Sequence, residues 1–378
     1  MDGSLRIGRL FDIPILLHYT FILVIPLFAF IIGSEIGPTT DMLKEIFNVS
    51  IDTSLITSGW MPWILGTVVA LGLFLGVFVH ELAHSLVARA KGIKMQSITL
   101  LMFGGIAQME EGTPEPKTEL PMALAGPLMS LVFGFACCGL VYVVPEMTAD
   151  PGYQGLLIFV FGYLGLLNII LCVFNLIPAF PMDGGRVLRA VLATRMPLDR
   201  ATGIAATVGK VFAVIFGIVG LVFLSPFLVL IALFIYIGAS MESTAVKYHF
   251  LLQDVTVGSM MTTTVTAVPA NLPLAKVVEM MYASKHLGFP VTDRDMLVGM
   301  VTLADVNRTS PIDRDAMQVK DVMTRDNLVT LPPDAPVMEA LHLMTTRNIG
   351  RIPIVQDDKI IGIVTRTDIL KVTELRKV

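Results

Sequence analysis

Apolar positions run on almost without polar relief over six stretches of the first two thirds of the chain, at about 15–32, 62–88, 120–144, 155–177, 201–224 and 226–240. A bilayer core about 30 Å thick takes about 20 helical residues to cross, so the pattern predicts six transmembrane helices. No small-residue cleavage site follows the first stretch, which reads as a retained helix. Between the second and third stretches, residues 97–109 form two short extended runs around Gly104-Gly105, the signal of a β hairpin. Extended backbone at membrane depth is tolerated only where protein buries it or where it lines a wet cavity, so this hairpin is expected beside a site. After Lys247 the pattern turns to mixed polar and apolar positions, with helix-period stripes at 274–281 and 337–344.

Composition sharpens this reading. At 54% hydrophobic and 15% charged residues, with a mean hydropathy of +0.75, the 378-residue chain is not a soluble globular protein, and the lipid bilayer is its first partner. A formal net charge of -4 with no basic patch excludes nucleic acid as a partner. Cys137, Cys138 and Cys172 all fall in apolar runs, where a thiol serves packing. Arg6, Arg9, Arg89, Lys91, Lys94, Lys117, Arg186, Arg189, Arg195 and Arg200 flank one side of a six-span arrangement, while the opposite loops carry Lys44. The positive-inside rule then puts both termini in the cytoplasm of a multi-pass protein of the cell membrane.

The chemistry concentrates in Val79-His80-Glu81-Leu82-Ala83-His84-Ser85, near the cytoplasmic end of the second span. His80 and His84, four residues apart, share a helix face and suit one zinc ion, with Glu81 placed as general base. The run 62–79 before them holds no charge. A carboxylate at bilayer depth costs about 2.5–3.5 kcal/mol on insertion scales, which suggests a working site. His18, near the start of the first span, stays outside the ligand set.

A catalytic zinc takes three protein ligands and keeps one position open, so two histidines leave the set one short. The candidate is Asp183, in Asn175-Leu176-Ile177-Pro178-Ala179-Phe180-Pro181-Met182-Asp183-Gly184-Gly185-Arg186 at the predicted cytoplasmic end of the fourth span. Prolines there break the helix and paired glycines permit close backbone approach, although Asp-Gly-Gly taken alone is more often a turn or a helix start and carries little weight.

Together, the H-E-L-A-H segment and the N-L-I-P-A-F-P-M-D-G-G-R segment resemble the site-2 protease family of intramembrane zinc metalloproteases. Phe103-Gly104-Gly105 and Ala125-Gly126-Pro127 also resemble family elements, and Met182 departs from the leucine common there. The resemblance covers 15–192 well and the last two spans weakly. It implies six transmembrane helices around one Zn2+ held by His80, His84 and Asp183, with Glu81 as general base in a membrane domain over 1–247. It further implies that Asn175 steadies the oxyanion or the unwound substrate. The edge at Gly104 and Gly105 would accept a transmembrane protein substrate as an added strand.

In the tail, Val257-Gly258-Ser259-Met260-Met261-Thr262 corresponds to Val319-Lys320-Asp321-Val322-Met323-Thr324, Pro290 to Pro353, and the segment from Gly299 to Asp305 to that from Gly362 to Asp368, at spacings of 62 or 63 residues. This internal repeat resembles a pair of α/β CBS domains, over 254–309 and 315–374. The resemblance implies adenine nucleotide (ATP, ADP or AMP) at Thr302, Asp305, Thr365 and Asp368, and a homodimer held through the tail. The leading expectation is an intramembrane zinc endopeptidase regulated by its CBS pair. The rival is a CBS-regulated transporter or channel whose histidines and acids line an ion path.

Overall fold

The computed structural model describes residues 3–102, 104–109, 115–294 and 296–376. Phe103, part of the predicted hairpin, lies outside them. The chain divides into two compact units, Met1–Thr244 and Ala245–Val378.

The first unit begins with strands β1 (Ser4–Leu10) and β2 (Ile13–His18), followed by helices α1 (Thr20–Ser34), α2 (Ile36–Phe47) and α3 (Met61–Ala90). Strands β3 (Met95–Leu101) and β4 (Gly104–Met109) lead into α4 (Pro116–Met147), α5 (Pro151–Asn175), α6 (Asp183–Ala193), α7 (Leu198–Val222) and α8 (Pro226–Leu252), whose residues from Ala245 on are counted with the second unit. Among the described residues, α3, α4, α5, α7 and α8 are each long and apolar enough to cross a membrane. The pair α1 and α2, bent by 69°, passes the same test when taken together.

Two boundaries differ from expectation. The first apolar stretch is not helical throughout: Ile13–His18 forms a strand that pairs antiparallel with β1 and parallel with β3. The five apolar residues before His18 suit a strand as well as a helix, and here hydrogen bonds on both sides decide it. The expected hairpin is therefore half of a four-stranded sheet ordered β1-β2-β3-β4. The last helix continues past Ser240 to Leu252 because Met241 to Leu251 contains no glycine or proline to stop it.

Helix starts follow local chemistry. Pro151 opens α5 behind Asp150, whose carboxylate accepts from the backbone N–H of Gly152 and Tyr153. The main core joins α1 to α5 through residues such as Leu43, Val69, Val141 and Phe159, all fully buried. In lipid such packing contributes through van der Waals contact, because the surroundings are as apolar as the core. A smaller cluster of Ala179, Met182, Ala213 and Ile235 seats the turn before α6 against α7 and α8.

The second unit is built on a five-stranded sheet ordered β5-β6-β7-β9-β8. The first repeat supplies β5 (Val268–Pro269), α9 (Leu274–Ser284), β6 (Gly288–Asp293), β7 (Met296–Thr302) and α10 (Leu303–Asn307). The second supplies α11 (Val319–Val322), α12 (Val337–Thr346), β8 (Arg351–Gln356), β9 (Lys359–Thr365) and α13 (Arg366–Leu375). Gly288 pairs with Thr302 in one hairpin and Arg351 with Thr365 in the other, so the sequence repeat is a structural repeat in register.

Candidate active site

Helix α3 delivers His80 and His84 to one face, one turn apart. Nε2 of His80 lies 3.1 Å from Nε2 of His84, and the two nitrogens lie 3.1 Å and 3.2 Å from Oδ2 of Asp183. His80 and Asp183 are 4% and 9% exposed, so the three atoms meet in a nearly closed space.

The other ring nitrogens are engaged. Nδ1 of His84 stands 2.6 Å from the carbonyl of Met122, which only accepts, so that nitrogen carries the proton and Nε2 is the atom that in the neutral ring offers its lone pair to a metal. Nδ1 of His80 meets Ser130 Oγ at 2.8 Å. Partners of this kind fix tautomer and ring direction for a metal-ligating histidine.

These atoms fit a zinc ion. Two imidazole nitrogens and a carboxylate oxygen converge, an arrangement of electron pairs that a cation stabilises. Ligands about 2.0–2.1 Å from a tetrahedral zinc are roughly 3.3 Å apart, close to the distances here. The space beside them is kept open by Gly126 on α4: a Cβ there would lie 2.2 Å from His84 Nε2 and 2.6 Å from His80 Nε2. His80, His84 and Asp183 form the one group of three metal-type ligands found among the described residues.

Asp183 reaches the centre as the first residue of α6, after a turn containing Pro178 and Pro181. A helix start favours a carboxylate. The two glycines that follow are required by close packing, since a Cβ on Gly184 would lie 2.2 Å from the carbonyl oxygen of Ile177 and one on Gly185 2.6 Å from the Phe180 nitrogen. Glu81 leans against β4, where a Cβ on Gly105 would come within 2.3 Å of its Cγ. Strand β4 is an edge of its sheet.

Other expected residues stand elsewhere. Asn175, the last residue of α5, donates from Nδ2 to the Leu171 carbonyl at 3.0 Å rather than to the histidine and aspartate cluster. Gly104 begins β4 with φ +133°, a value that favours glycine. His18 contacts Thr20 Oγ1 at 2.8 Å. In the second unit, Asp305 Oδ2 accepts from the Thr302 N–H at 2.9 Å and from Thr302 Oγ1 at 2.7 Å. Asp368 does the same for Thr365, at 3.0 Å and 2.7 Å. Each acid thus closes a capping box on the helix it begins.

Sequence reasoning passed over Ser130, Met122 and Glu119 and noticed Gly126 only within the Ala125-Gly126-Pro127 family resemblance. The signal lay in their spacing: 119, 122, 126 and 130 fall on one face of α4, and all four are buried.

Comparisons with known proteins identify the family. The model of peptidase family M50 matches residues 68–149 and 144–216, and the CBS domain model matches 257–310 and 319–374. A zinc metalloprotease of Methanocaldococcus jannaschii is 33% identical over 372 residues, covering 98% of this chain and 96% of that protein. A solved site-2 protease from the same organism is 36% identical over 64% of this chain and 95% of its own, with a TM-score of 0.41. A CBS domain pair solved in complex with 5′-methylthioadenosine and S-adenosyl-L-methionine covers 32% of this chain and 98% of its own at 23% identity, with a TM-score of 0.30.

The chain belongs to peptidase family M50: it is a zinc metalloprotease of the site-2 protease type, a multi-pass membrane protein carrying a C-terminal pair of CBS domains. The transporter or channel reading falls with that membership.

Proposed function

We propose that the protein is an intramembrane endopeptidase that cuts a transmembrane or membrane-proximal segment of another protein, with one Zn2+ per chain held by His80, His84 and Asp183. The observation that carries this reading is the convergence of His80 Nε2, His84 Nε2 and Asp183 Oδ2 beside the space left by Gly126. Zinc bound there would polarise the scissile carbonyl and lower the pKa of water. Glu81 takes a proton from the attacking water and returns it to the leaving nitrogen. Ser130 and the Met122 carbonyl hold the two imidazoles in the ligating orientation.

A transmembrane substrate hides its carbonyls in helix hydrogen bonds and must unwind before it is cut. Strand β4, an unpaired edge packed on Glu81 through Gly105, offers backbone partners to the unwound segment. Asn175 assists at the oxyanion once it lets go of the Leu171 carbonyl. The positive-inside count supports cytoplasmic termini, a zinc site near the cytoplasmic side, and six crossings with the α1 and α2 pair as one of them.

The CBS pair, by this reading, binds adenine nucleotide at Thr302, Asp305, Thr365 and Asp368, dimerises, and adjusts proteolysis. Support comes from the two matched strand-to-helix junctions, where helix starts favour phosphate. The deciding experiment purifies the chain, measures zinc per protomer, and incubates it with a transmembrane peptide beside the Glu81→Gln variant. Cleavage by both proteins, or no metal in the wild type, overturns the proposal.

A further inference from the structure

The site described so far leaves one buried charge cluster unexplained. Arg189 on α6 and Glu119 on α4 are 3% and 1% exposed and form an ion pair inside the first unit. Nε of Arg189 lies 3.0 Å and 3.2 Å from the two Glu119 oxygens, and Nη2 donates to the same carboxylate. Nη1 donates to Glu242 on α8. The guanidinium also lies over the Phe180 ring, 5.1 Å from its centroid, three residues before Asp183.

We infer that the Arg189–Glu119 pair positions the third metal ligand, by registering α6 against the face of α4 that orients both histidines. The inference rests on the metal-site reading above. Glu119 lies one turn from Met122, whose carbonyl holds His84, on the face that continues through Gly126 to Ser130. One side of the first half of α4 therefore grips α6 through Glu119 and sets the two imidazoles through Met122 and Ser130. Helix α6 has 11 residues and is too short to be fixed by spanning a bilayer. It arrives through a turn with two prolines, so the placement of Asp183 depends on what locks α6 sideways.

The chemistry of the lock separates positioning from cohesion. Two apolar side chains of similar volume often hold buried elements together as well as an ion pair does, and avoid desolvating charge. What they lack is direction: a planar guanidinium donating through Nε and Nη2 to one carboxylate fixes angle as well as distance. A metal site needs its ligands held within about 0.5 Å, which a directional lock provides. Arg189 and Glu119 touch neither substrate nor metal and act through Asp183.

The test uses the full chain stripped of metal, with Co2+ as the probe. Its dissociation constant is measured by chelator competition and its ligand-field absorption is recorded, beside the melting temperature of the metal-free protein. The variants are Glu119→Gln, Arg189→Lys and the paired Glu119→Leu with Arg189→Met. The expected result is Co2+ binding about 10- to 100-fold weaker, the usual cost of losing an outer partner, with shifted absorption bands. In the paired variant this should occur although the metal-free melting temperature stays near wild type. A paired variant that folds and binds Co2+ with wild-type affinity and spectrum overturns the inference, and so does a wild-type result for Arg189→Lys should the paired variant fail to fold. A wild-type chain that binds no Co2+ instead overturns the metal-site reading, so the two failures are distinguishable.

Discussion

Gly126 faces Nε2 of His84 so closely that a single added carbon would lie 2.2 Å from it. The glycine keeps open the space in which the two histidines and Asp183 present their lone pairs. Gly126→Ala should therefore weaken zinc binding by 10-fold or more (about 1.4 kcal/mol or more) while the membrane helices still form. Chelator competition on the purified variant checks this, and an unchanged dissociation constant would place the metal elsewhere.

Glu81 has the opposite signature. Glu81→Gln removes the proton acceptor and spares all three ligands, so zinc content should match the wild type while turnover falls by about 10²- to 10⁴-fold. Metal analysis and a peptide-cleavage assay on one preparation read both halves. Retained turnover would take Glu81 out of the mechanism.

Asp183→Ala removes one of the three groups that converge within 3.2 Å. Two imidazoles remain, a poorer zinc site. Zinc per protomer after dialysis against a weak chelator should drop well below that of the wild type. Equal content would show that Asp183 is not a ligand.

Gly105 touches the base itself, since its added Cβ would come within 2.3 Å of Glu81 Cγ. Gly105→Val should push Glu81 out of place and lower cleavage at least 10-fold, with zinc content unaffected. If cleavage holds, the contact between β4 and Glu81 carries no functional weight.

In the CBS pair the acids have a structural duty that complicates the usual alanine test. Asp305 and Asp368 each accept two hydrogen bonds from the threonine that starts their helix. Alanine at either should cost about 0.5–2 kcal/mol of stability through the lost cap alone. Asparagine keeps an acceptor oxygen, so Asp305→Asn with Asp368→Asn should hold the melting temperature nearer wild type than the alanine pair. If the acids bind ribose hydroxyls, calorimetric ATP affinity should nevertheless fall. Unchanged affinity in the asparagine pair would count against these acids as nucleotide ligands.

How much of this was legible beforehand depended on the distance over which the chain had to be read. His80, Glu81 and His84 lie within one helical turn, so their spacing alone proposed a metal site. Asp183, some hundred positions on, needed two motifs taken together. The supports were harder to see: Ser130 meets His80 across 50 residues of sequence, and within a uniformly apolar helix a lone serine looks incidental. Glu119 and Arg189 are 70 residues apart; Arg189 counted only as a charge flanking the spans and Glu119 drew no notice until their burial was known. The first apolar stretch misled for another reason, because whether so short an apolar run forms strand or helix was settled by the hydrogen bonds of β1 and β3.

The parallel pairing of β2 with β3 constrains how often the intervening chain passes through the bilayer. Ile15 stands opposite Ile98, and hydrogen-bonded strands lie about 4.8 Å apart, so the chain before α1 and the chain after α3 occupy one level. Helix α3, at 30 residues, rises about 45 Å, enough for one passage. A path that departs from and returns to the same level makes an even number of passages, so the proposed topology, in which α3 makes one passage and α1 with α2 the other, is consistent with this pairing. Their packing agrees: Phe21 meets Phe74 at 4.6 Å and Phe30 stacks on Trp63 at 5.5 Å, the order expected of antiparallel neighbours. For the proposed six-span topology the sheet thus acts as a parity check: if α3 crosses once, a bent pair lying flat on the surface would leave β2 and β3 on opposite sides of the membrane, at odds with their pairing.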